Sequence, residues 1–324
     1  MKATPTVQEF IFGDERPFAS CHAVTLALLA SGDLLAAWFG GSREGAGDVG
    51  IWLSRRSGST WSPPLNMAER EGLPHWNPVL FSPDGRHVQL YYKVGVAIPE
   101  WRTMVRGSAD GGATWSEPRE LVPGDRAGGR GPVKNKPIVT SEGLWLAPAS
   151  VEGRYWDAFV DVSADEGLTW RASNLVAFPH DESYEGTGLI QPTLWESSPG
   201  LVHMLMRSRT GRIWRSDSTD GGRSWGLGRP TFLPNNSSGI DLARTETGIL
   251  ALAYNPVGMP KGPRSPLVLG LSLDEGESWR QGAIVEIDPG EYSYPAIVAA
   301  GEELHLAYTW NRTRIAYRRY IVQP

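Results

Sequence analysis

The chain has 324 residues, and its composition excludes several classes of protein. A net charge of −5 at pH 7 argues against a general nucleic-acid or anionic-membrane surface. The single cysteine, Cys21, excludes an intramolecular disulfide, and no apolar stretch is long enough to span a bilayer. Without an apolar signal-peptide run at the start, the sequence as given is expected to be cytoplasmic; a secreted or periplasmic protein is the alternative if a leader was removed.

The predicted elements are short strands that come in pairs. Each pair is an apolar run, a turn rich in glycine or polar residues, and a second apolar run, and no segment shows a helical period. Runs of this length and composition are typical of buried β-strands. In chain order the pairs lie at 22–41, 77–95, 136–150, 191–208, 239–256 and 294–311.

A turn with the pattern S-x-D-x-G-x-[ST]-W recurs between these pairs. Complete copies occupy 108–115, 163–170, 218–225 and 272–279, and a degenerate copy ends at Trp61. The terminal tryptophans are 54 or 55 residues apart, so 324 residues hold six units. This period predicts a single domain over 1–324, an all-β, six-bladed β-propeller with four-stranded antiparallel blades.

The last unit lacks a tryptophan-bearing turn of its own. Only 45 residues follow Trp279, whereas an apolar run at 7–12 has no partner near it in sequence. We therefore predict that the N-terminal strand completes the last blade, which leaves no exposed sheet edge there.

The aspartates of the repeated turn are predicted to be structural. Each carboxylate can accept hydrogen bonds from amides of its own turn, while glycine supplies the positive φ and tryptophan packs between blades. A catalytic acid is needed once and not four times. The residues concerned are Asp110, Asp165, Asp220 and Asp274.

The first strand of each blade lines the central channel of a propeller. The residues that begin these strands are therefore expected to converge, although they are far apart in sequence. They are His22, Asn77, Lys136, Gln191, Gly239 and Tyr294, and four of them precede proline. This polar ring predicts a ligand site, with Asn77, Lys136 and Gln191 binding substrate. A water-filled channel is the alternative.

Charged residues also follow the second strands of three blades. A glycine-rich loop after the first pair carries Arg43, Glu44 and Asp48, and later pairs are followed by Arg207 and Arg264. Arginine suits bidentate binding of a carboxylate, so the arginines are candidate substrate ligands. Surface ion pairs, or a loop cap by Glu44 and Asp48, are the alternatives. Weaker candidates are His180, Glu185 and His203.

The four repeated turns resemble the Asp-boxes, or BNR repeats, of the sialidase superfamily over nearly the whole chain. The resemblance implies a general acid/base at Asp48, and carboxylate-binding arginines at Arg207 and Arg264. It implies a tyrosine nucleophile at Tyr292, with Tyr294 as its neighbour on the same face. Two family positions differ, because His22 replaces the first arginine and Gln191 replaces the glutamate that activates the tyrosine.

Three functions follow from this pattern. The first is an exo-acting glycoside hydrolase that cleaves a terminal linkage involving a sialic-acid-like or uronic acid, with Asp48 as acid and Glu44 as a possible second carboxylate.

The second function is a lyase. Its reaction would be β-elimination at a rhamnosyl-glucuronate-type linkage, as in divergent BNR-repeat-like enzymes. His22 or a tyrosine would be the base, Tyr292 or Tyr294 the acid, and Arg207, Arg264 or Lys136 would neutralise the carboxylate.

The third function is a non-catalytic propeller that binds a glycan or a protein through aromatic anchors. The candidate anchors are Trp76, Trp101, Tyr155 and Trp156. The expected partner is an acidic oligosaccharide or glycan. No nucleic acid, membrane, metal or other cofactor is expected.

Overall fold

The computed structural model describes residues 1–126, 128–180 and 188–323. These residues form six antiparallel sheets arranged as the blades of a propeller, so the predicted fold is confirmed. In the described ranges the only helical segment is a three-residue 3₁₀ turn at Ile98–Glu100. No helix in these ranges is long and apolar enough to cross a membrane.

The strands are numbered in chain order, and each blade is built from the axis outward. Blade 1 holds β2 (Ser20–Leu28), β3 (Leu34–Gly41), β4 (Gly50–Ser57), β5 (Thr60–Trp61) and β6 (Leu65–Ala68). Blade 2 holds β7 (His75–Phe81), β8 (Val88–Val94), β9 (Arg102–Ser108) and β10 (Arg119–Glu120). Blade 3 holds β11 (Ile138–Val139), β12 (Trp145–Glu152), β13 (Trp156–Ser163) and β14 (Arg171–Ala172).

The remaining blades follow the same plan. Blade 4 holds β15 (Leu189–Ser198), β16 (Leu201–Ser208), β17 (Arg212–Ser218) and β18 (Arg229–Pro234). Blade 5 holds β19 (Asp241–Arg244), β20 (Leu250–Tyr254), β21 (Leu267–Ser272) and β22 (Arg280–Glu286). Blade 6 holds β23 (Tyr292–Ala300), β24 (Glu303–Trp310), β25 (Arg314–Gln323) and β1 (Lys2–Phe10).

The hydrophobic core lies between blades. Each large apolar cluster draws its residues from two neighbouring sheets, and together these clusters fill every interface of the ring. Leu35 and Ile51 of blade 1, for example, pack with Leu90 of blade 2. Strands buried on both faces need apolar side chains at successive positions, which explains the continuous apolar runs of the sequence.

The N-terminal strand closes the ring as predicted. β1 pairs with β25, with Lys2 opposite Gln323 and Phe10 opposite Ala316, so the strand begins earlier than the apolar run that predicted it. Glu9 of β1 also accepts hydrogen bonds from blade 1, because its Oε1 lies 2.8 Å from Arg56 Nε and 2.9 Å from Trp61 Nε1. The last blade is thereby joined to the first.

The Asp-boxes lie at the end of the ring where the first strands of the blades finish. Each box follows the third strand of its blade, and antiparallel order brings the ends of the first and third strands together. Asp165 accepts hydrogen bonds from Ser163 Oγ at 2.8 Å and from the backbone and side chain of Thr169. These bonds, chiefly that from the Thr169 side chain, hold the pKa of Asp165 at about 2. Asp110, Asp220 and Asp274 make equivalent bonds.

Candidate functional site

The first strands of four blades carry a β-bulge near their start. The pairing register shifts after His22, Trp76, Ile190 and Ser293. One residue in each bulge has a left-handed φ, and these are Ala23 (56°), Asn77 (40°), Gln191 (52°) and Tyr294 (52°). Bulges re-aim side chains, and left-handed non-glycine residues concentrate at functional sites. The end of the channel at which these strands begin is called the mouth below.

Tyr294 is the centre of the side-chain cluster at the mouth. Arg207 Nη1 donates to Tyr294 Oη at 2.6 Å and to Gln191 Oε1 at 2.9 Å. The imidazole of His22 lies 4.2 Å from the Tyr294 ring, centroid to centroid, and the Arg264 guanidinium lies 5.5 Å from that centroid. The structure therefore brings together five residues that are widely separated in sequence.

His22 is buried at the mouth with an uncharged imidazole. Its Nδ1 lies 2.9 Å from Thr309 Oγ1. Burial, and then the positive charges of Arg312, Arg264 and Arg207, lower the pKa of His22 well below its usual value. A neutral imidazole has a ring nitrogen that can accept a proton, and the burial and positive charges that lower its pKa also make it a weaker base than a free histidine.

A chain of ion pairs extends from the cluster to blade 1. Glu291 Oε1 accepts hydrogen bonds from Arg264 Nη1 at 2.7 Å, Arg312 Nε at 2.9 Å and Ser293 Oγ at 3.2 Å. Arg312 also donates to the carboxylate of Glu44, in the glycine-rich loop after β3. Glu44 is therefore linked to the cluster by its ion pair with Arg312 and not by one with Arg43.

Trp156 forms an aromatic wall beside Arg207. The guanidinium carbons of Arg207 and Arg209 lie 5.7 Å and 4.3 Å from the centroid of its ring. Glu152 lies near this wall, and burial raises its pKa, although the charge of Arg207 and a hydrogen bond with Gln191 act in the opposite direction.

The other aromatic candidates pack against neighbours. Trp76 and Trp101 are both buried, with their rings 5.3 Å apart, and Tyr155 stacks on His180. Trp156 is thus the aromatic candidate that contacts the arginines of the mouth.

Tyr292 and Tyr294 do not share a face. Tyr292 is buried in the apolar cluster between blades 5 and 6, and burial is the main cause of its raised pKa. The bulge after Ser293 breaks the alternation of β23, so Tyr294 alone faces the axis. Of the two tyrosines, the structure places Tyr294 with His22 and Arg207.

The predicted blade 3 position requires a correction, because Lys136 lies deeper in the channel. Its Nζ donates to both carboxylate oxygens of Asp241 at 3.0 Å and to Leu242 O at 2.8 Å. Asp241 also accepts from Thr193 Oγ1 at 2.9 Å and from the amide of Ile297. Lys136 lines the cavity at the opposite end of the channel from the mouth.

Lys134 occupies the axis beneath Tyr294. Lys134 and Ser237, with positive φ values of 119° and 64°, lie two positions before Lys136 and Gly239, the residues predicted to begin the first strands of blades 3 and 5. Lys134 Nζ donates to Asn135 Oδ1 at 2.8 Å and to two backbone carbonyls, and burial lowers its pKa to about 7. A Cβ on Gly239 would lie 3.1 Å from Lys134 Cε and 3.3 Å from Tyr294 Cγ, so Lys134 and Tyr294 pack closely against this glycine.

The remaining predicted residues do not contact the cluster. Asp48 is exposed, and its two carboxylate oxygens accept from the amide and hydroxyl of Ser42 at 2.9 Å, which fits the loop-cap alternative. Arg43 is exposed, and Asn77 is buried at the bulge of β7.

The weaker histidine candidates each have a carboxylate partner. His180 pairs with Asp157 and His203 pairs with Asp217. Glu185 lies outside the described residues.

A family model for the BNR repeat-like domain matches residues 32–306, which is most of the chain. The chain belongs to this family. No curated protein matches it in sequence. Among solved structures, the Hadza microbial sialidase Hz136 superposes with a TM-score of 0.82 at 17% identity, over 98% of this chain and 68% of the other.

Two further structures are similar to this BNR repeat-like chain. A protein of unknown function from Dyadobacter fermentans has a TM-score of 0.80 at 14% identity, with 99% of both chains covered. A Trypanosoma rangeli sialidase in complex with the inhibitor DANA has a TM-score of 0.74 at 14% identity, over 98% of this chain and 57% of the other. These likenesses show the fold, and the resemblance to the sialidase superfamily is confirmed.

Arg312, Glu291 and Lys134 were not found from the sequence. Arg312 lies in the turn after the second strand of blade 6. Arg207 and Arg264 were predicted as ligands because they lie at or after the ends of second strands in blades 4 and 5. The same pattern in blade 6 predicts Arg312. Lys134 was missed because Lys136 precedes proline. The described residues include no group of three or more His, Cys, Asp or Glu side chains that could hold a metal.

Proposed function

We propose that this propeller is an exo-acting glycoside hydrolase that cleaves a terminal linkage involving an acidic sugar. The observation that carries the proposal is the set of guanidinium groups of Arg207, Arg264 and Arg312 around Tyr294 and His22. Guanidinium groups bind carboxylates with two parallel hydrogen bonds, so a sialic-acid-like or uronic acid suits this mouth. The sialidases among the similar structures support the same substrate class.

The packing at the axis is consistent with an exo-acting enzyme. Lys134 and Tyr294 both lie close to Gly239, and Lys134 is buried there with its ammonium bonded to Ile240 O. A site entered from the mouth alone would accept the end of a glycan and not its middle. Trp156 is buried, and its ring packs against the guanidinium groups of Arg207 and Arg209, which helps to hold Arg207 in place at the mouth.

Hydrolysis would use Tyr294 as the nucleophile. Its oxygen accepts a hydrogen bond from Arg207, which leaves its own O–H proton free for transfer to the neutral imidazole of His22, directly or through water. The tyrosine oxygen would bond to the anomeric carbon while the bond to the leaving oxygen breaks. A protonated carboxyl group of Glu44 or Asp48 would give its proton to that oxygen. Water would then bond to the anomeric carbon as the tyrosine–sugar bond breaks, its proton would return to the same carboxylate, and the tyrosine oxygen would regain its proton from His22.

Elimination is the second candidate. It is favoured by the neutral His22, which could act as the base, and by Gln191, an amide at the position where the sialidase resemblance implies a glutamate that activates the tyrosine. His22 would take the proton next to the carboxylate of a uronic acid, and the electron pair would form a carbon–carbon double bond. The bond to the leaving oxygen would break, and Tyr294 would protonate that oxygen. Arg207 and Arg264 would stabilise the carboxylate as charge develops.

Product analysis separates these possibilities. The wild-type protein would be incubated with sialylated, glucuronate-terminated and rhamnosyl-glucuronate oligosaccharides, followed by mass spectrometry. Hydrolysis adds one water to the products, whereas elimination adds none and yields an ultraviolet-absorbing double bond. Binding without any product would favour a glycan-binding propeller. Both Tyr294→Phe and His22→Ala should lose turnover, whereas loss in Tyr292→Phe alone would contradict the assignment of Tyr294.

A further inference from the structure

We propose that Glu291 is a specificity-determining residue that restricts the mouth to sugars carrying a single negative charge. The inference rests on the proposed acidic-sugar site, and it concerns the choice among acidic ligands. It requires that a carboxylate of the protein occupies part of the positive surface that the ligand meets.

Glu291 already makes the contacts that a bound carboxylate would make. One oxygen, Oε1, accepts from Arg264 Nη1 at 2.7 Å and from Arg312 Nε at 2.9 Å. The three side chains are each exposed by 27–30%, so the group meets solvent at the mouth. The donors between Arg264 and Arg312 are therefore engaged before any ligand arrives.

Among the residues that the structure describes, two of the three arginines make direct ion pairs and Arg207 makes none. Arg264 pairs with Glu291, and Arg312 pairs with Glu291 and Glu44. Arg207 instead donates to neutral acceptors on Gln191, Tyr294 and Ser237. Glu152 also lies near Arg207, and burial raises the pKa of its carboxyl group while the charge of Arg207 lowers it.

Charge selection follows from this arrangement. A single carboxylate on the ligand can bind at Arg207, which donates to Gln191, Tyr294 and Ser237 and not to Glu291. A second anionic group on the same sugar that extends toward Arg264 and Arg312 would meet Glu291, which already accepts hydrogen bonds from both guanidinium groups, in a partly buried site where like charges repel. Natural binding sites commonly gain specificity from a repulsive element of this kind.

The test compares two ligands that differ by one charge. Calorimetry would measure the affinities of a glucuronate-terminated disaccharide and its monosulfated form for wild type, Glu291→Gln and Glu44→Gln. A suitable control is Glu275→Gln, because Glu275 also pairs with an arginine, Arg244, but lies on the Asp-box side. Thermal unfolding would verify that each variant is folded.

The wild type should prefer the monoanionic ligand by roughly tenfold or more, and Glu291→Gln should remove most of that preference by strengthening binding of the sulfated ligand. Glu44→Gln should also reduce the preference for the monoanionic ligand, but by a smaller factor. If Glu291→Gln does not fold, the Glu44→Gln measurement decides the test. Equal weakening of both ligands in Glu291→Gln would show that Glu291 only positions the arginines, and would overturn the inference. Binding of neither ligand by the wild type would instead contradict the acidic-sugar site itself.

Discussion

Arg207 has three side-chain partners at the mouth, and their positions require a planar guanidinium. One nitrogen reaches both Tyr294 and Gln191, and the other lies 3.3 Å from Ser237 Oγ. Lysine presents a single ammonium on a flexible stem, so it cannot reproduce these bonds while also binding a carboxylate. The planar guanidinium group of Arg207 is therefore more important for this arrangement than its positive charge alone.

We predict that Arg207→Lys lowers kcat/KM for an acidic glycan by about 10- to 100-fold, equivalent to about 1.4–2.7 kcal/mol. Steady-state kinetics would measure the loss, and Arg244→Lys is the control because Arg244 forms a half-exposed ion pair with Glu275. Unchanged kinetics in Arg207→Lys would remove Arg207 from the proposed site.

His22 has a pKa well below its usual value because it is buried among positive charges. The folded protein therefore keeps His22 neutral as pH falls through about 6.5, where a histidine of the unfolded chain takes up a proton. Stability is favoured above that pH and is lost as pH falls, because the unfolded state then binds more protons.

The predicted consequence is a pH-dependent difference between wild type and His22→Gln. Urea unfolding at pH values between about 7.5 and 5.5 should show the wild type losing up to about 1.4 kcal/mol more per pH unit than the variant. His75 and His305, whose pKa values are also lowered by burial, should leave a residual slope in the variant. Equal slopes would show that His22 titrates normally.

At the scale of elements, the Asp-box turn and the channel ion pair hold strands in place far from the mouth. Asp274 accepts hydrogen bonds from Ser272 and Ser278 within its own turn. We predict that Asp274→Ala lowers the free energy of unfolding by about 1 kcal/mol, as does loss of a comparable helix cap. Turnover should stay at the wild-type level, and a large loss of turnover in the folded variant would contradict a structural role.

Lys136 and Asp241 link the first strands of blades across the channel. Removal of one partner leaves a largely buried charge without compensation. Lys136→Met should therefore cost about 3 kcal/mol in urea unfolding, near the lower end for buried pairs because Lys136 keeps some solvent contact. The KM of the Lys136→Met variant for an acidic glycan should equal that of the wild type. A clear rise in KM would show that Lys136 binds substrate.

At the scale of the whole molecule, the repeat period predicted the architecture because each blade is the same unit. The tryptophan spacing gave the blade number, and the unpaired strand at 7–12 gave the closure that β1 and β25 make. Periodic burial and turn chemistry are local properties, and a sequence displays them directly.

The site was predicted less completely, because its geometry depends on bulges that shift the register by one residue. Tyr294, and not Tyr292, faces the axis for this reason. In blade 3 the first strand begins only at Ile138, and Lys134 takes the place expected of Lys136. The ion pairs of Glu291 with Arg264 and Arg312 join turns from two blades, and no local pattern in the sequence marks such a contact.

The central claim is that the mouth recognises the carboxylate of a terminal sugar and that the protein cleaves its linkage. The most direct test measures release of the terminal sugar from an acidic oligosaccharide and from the same oligosaccharide with its carboxyl group reduced to an alcohol. We predict release from the acidic form and a loss of at least about 100-fold with the reduced form, since Arg207 would then lack its charged partner. Equal release from both forms, or none from any acidic glycan, would contradict the claim.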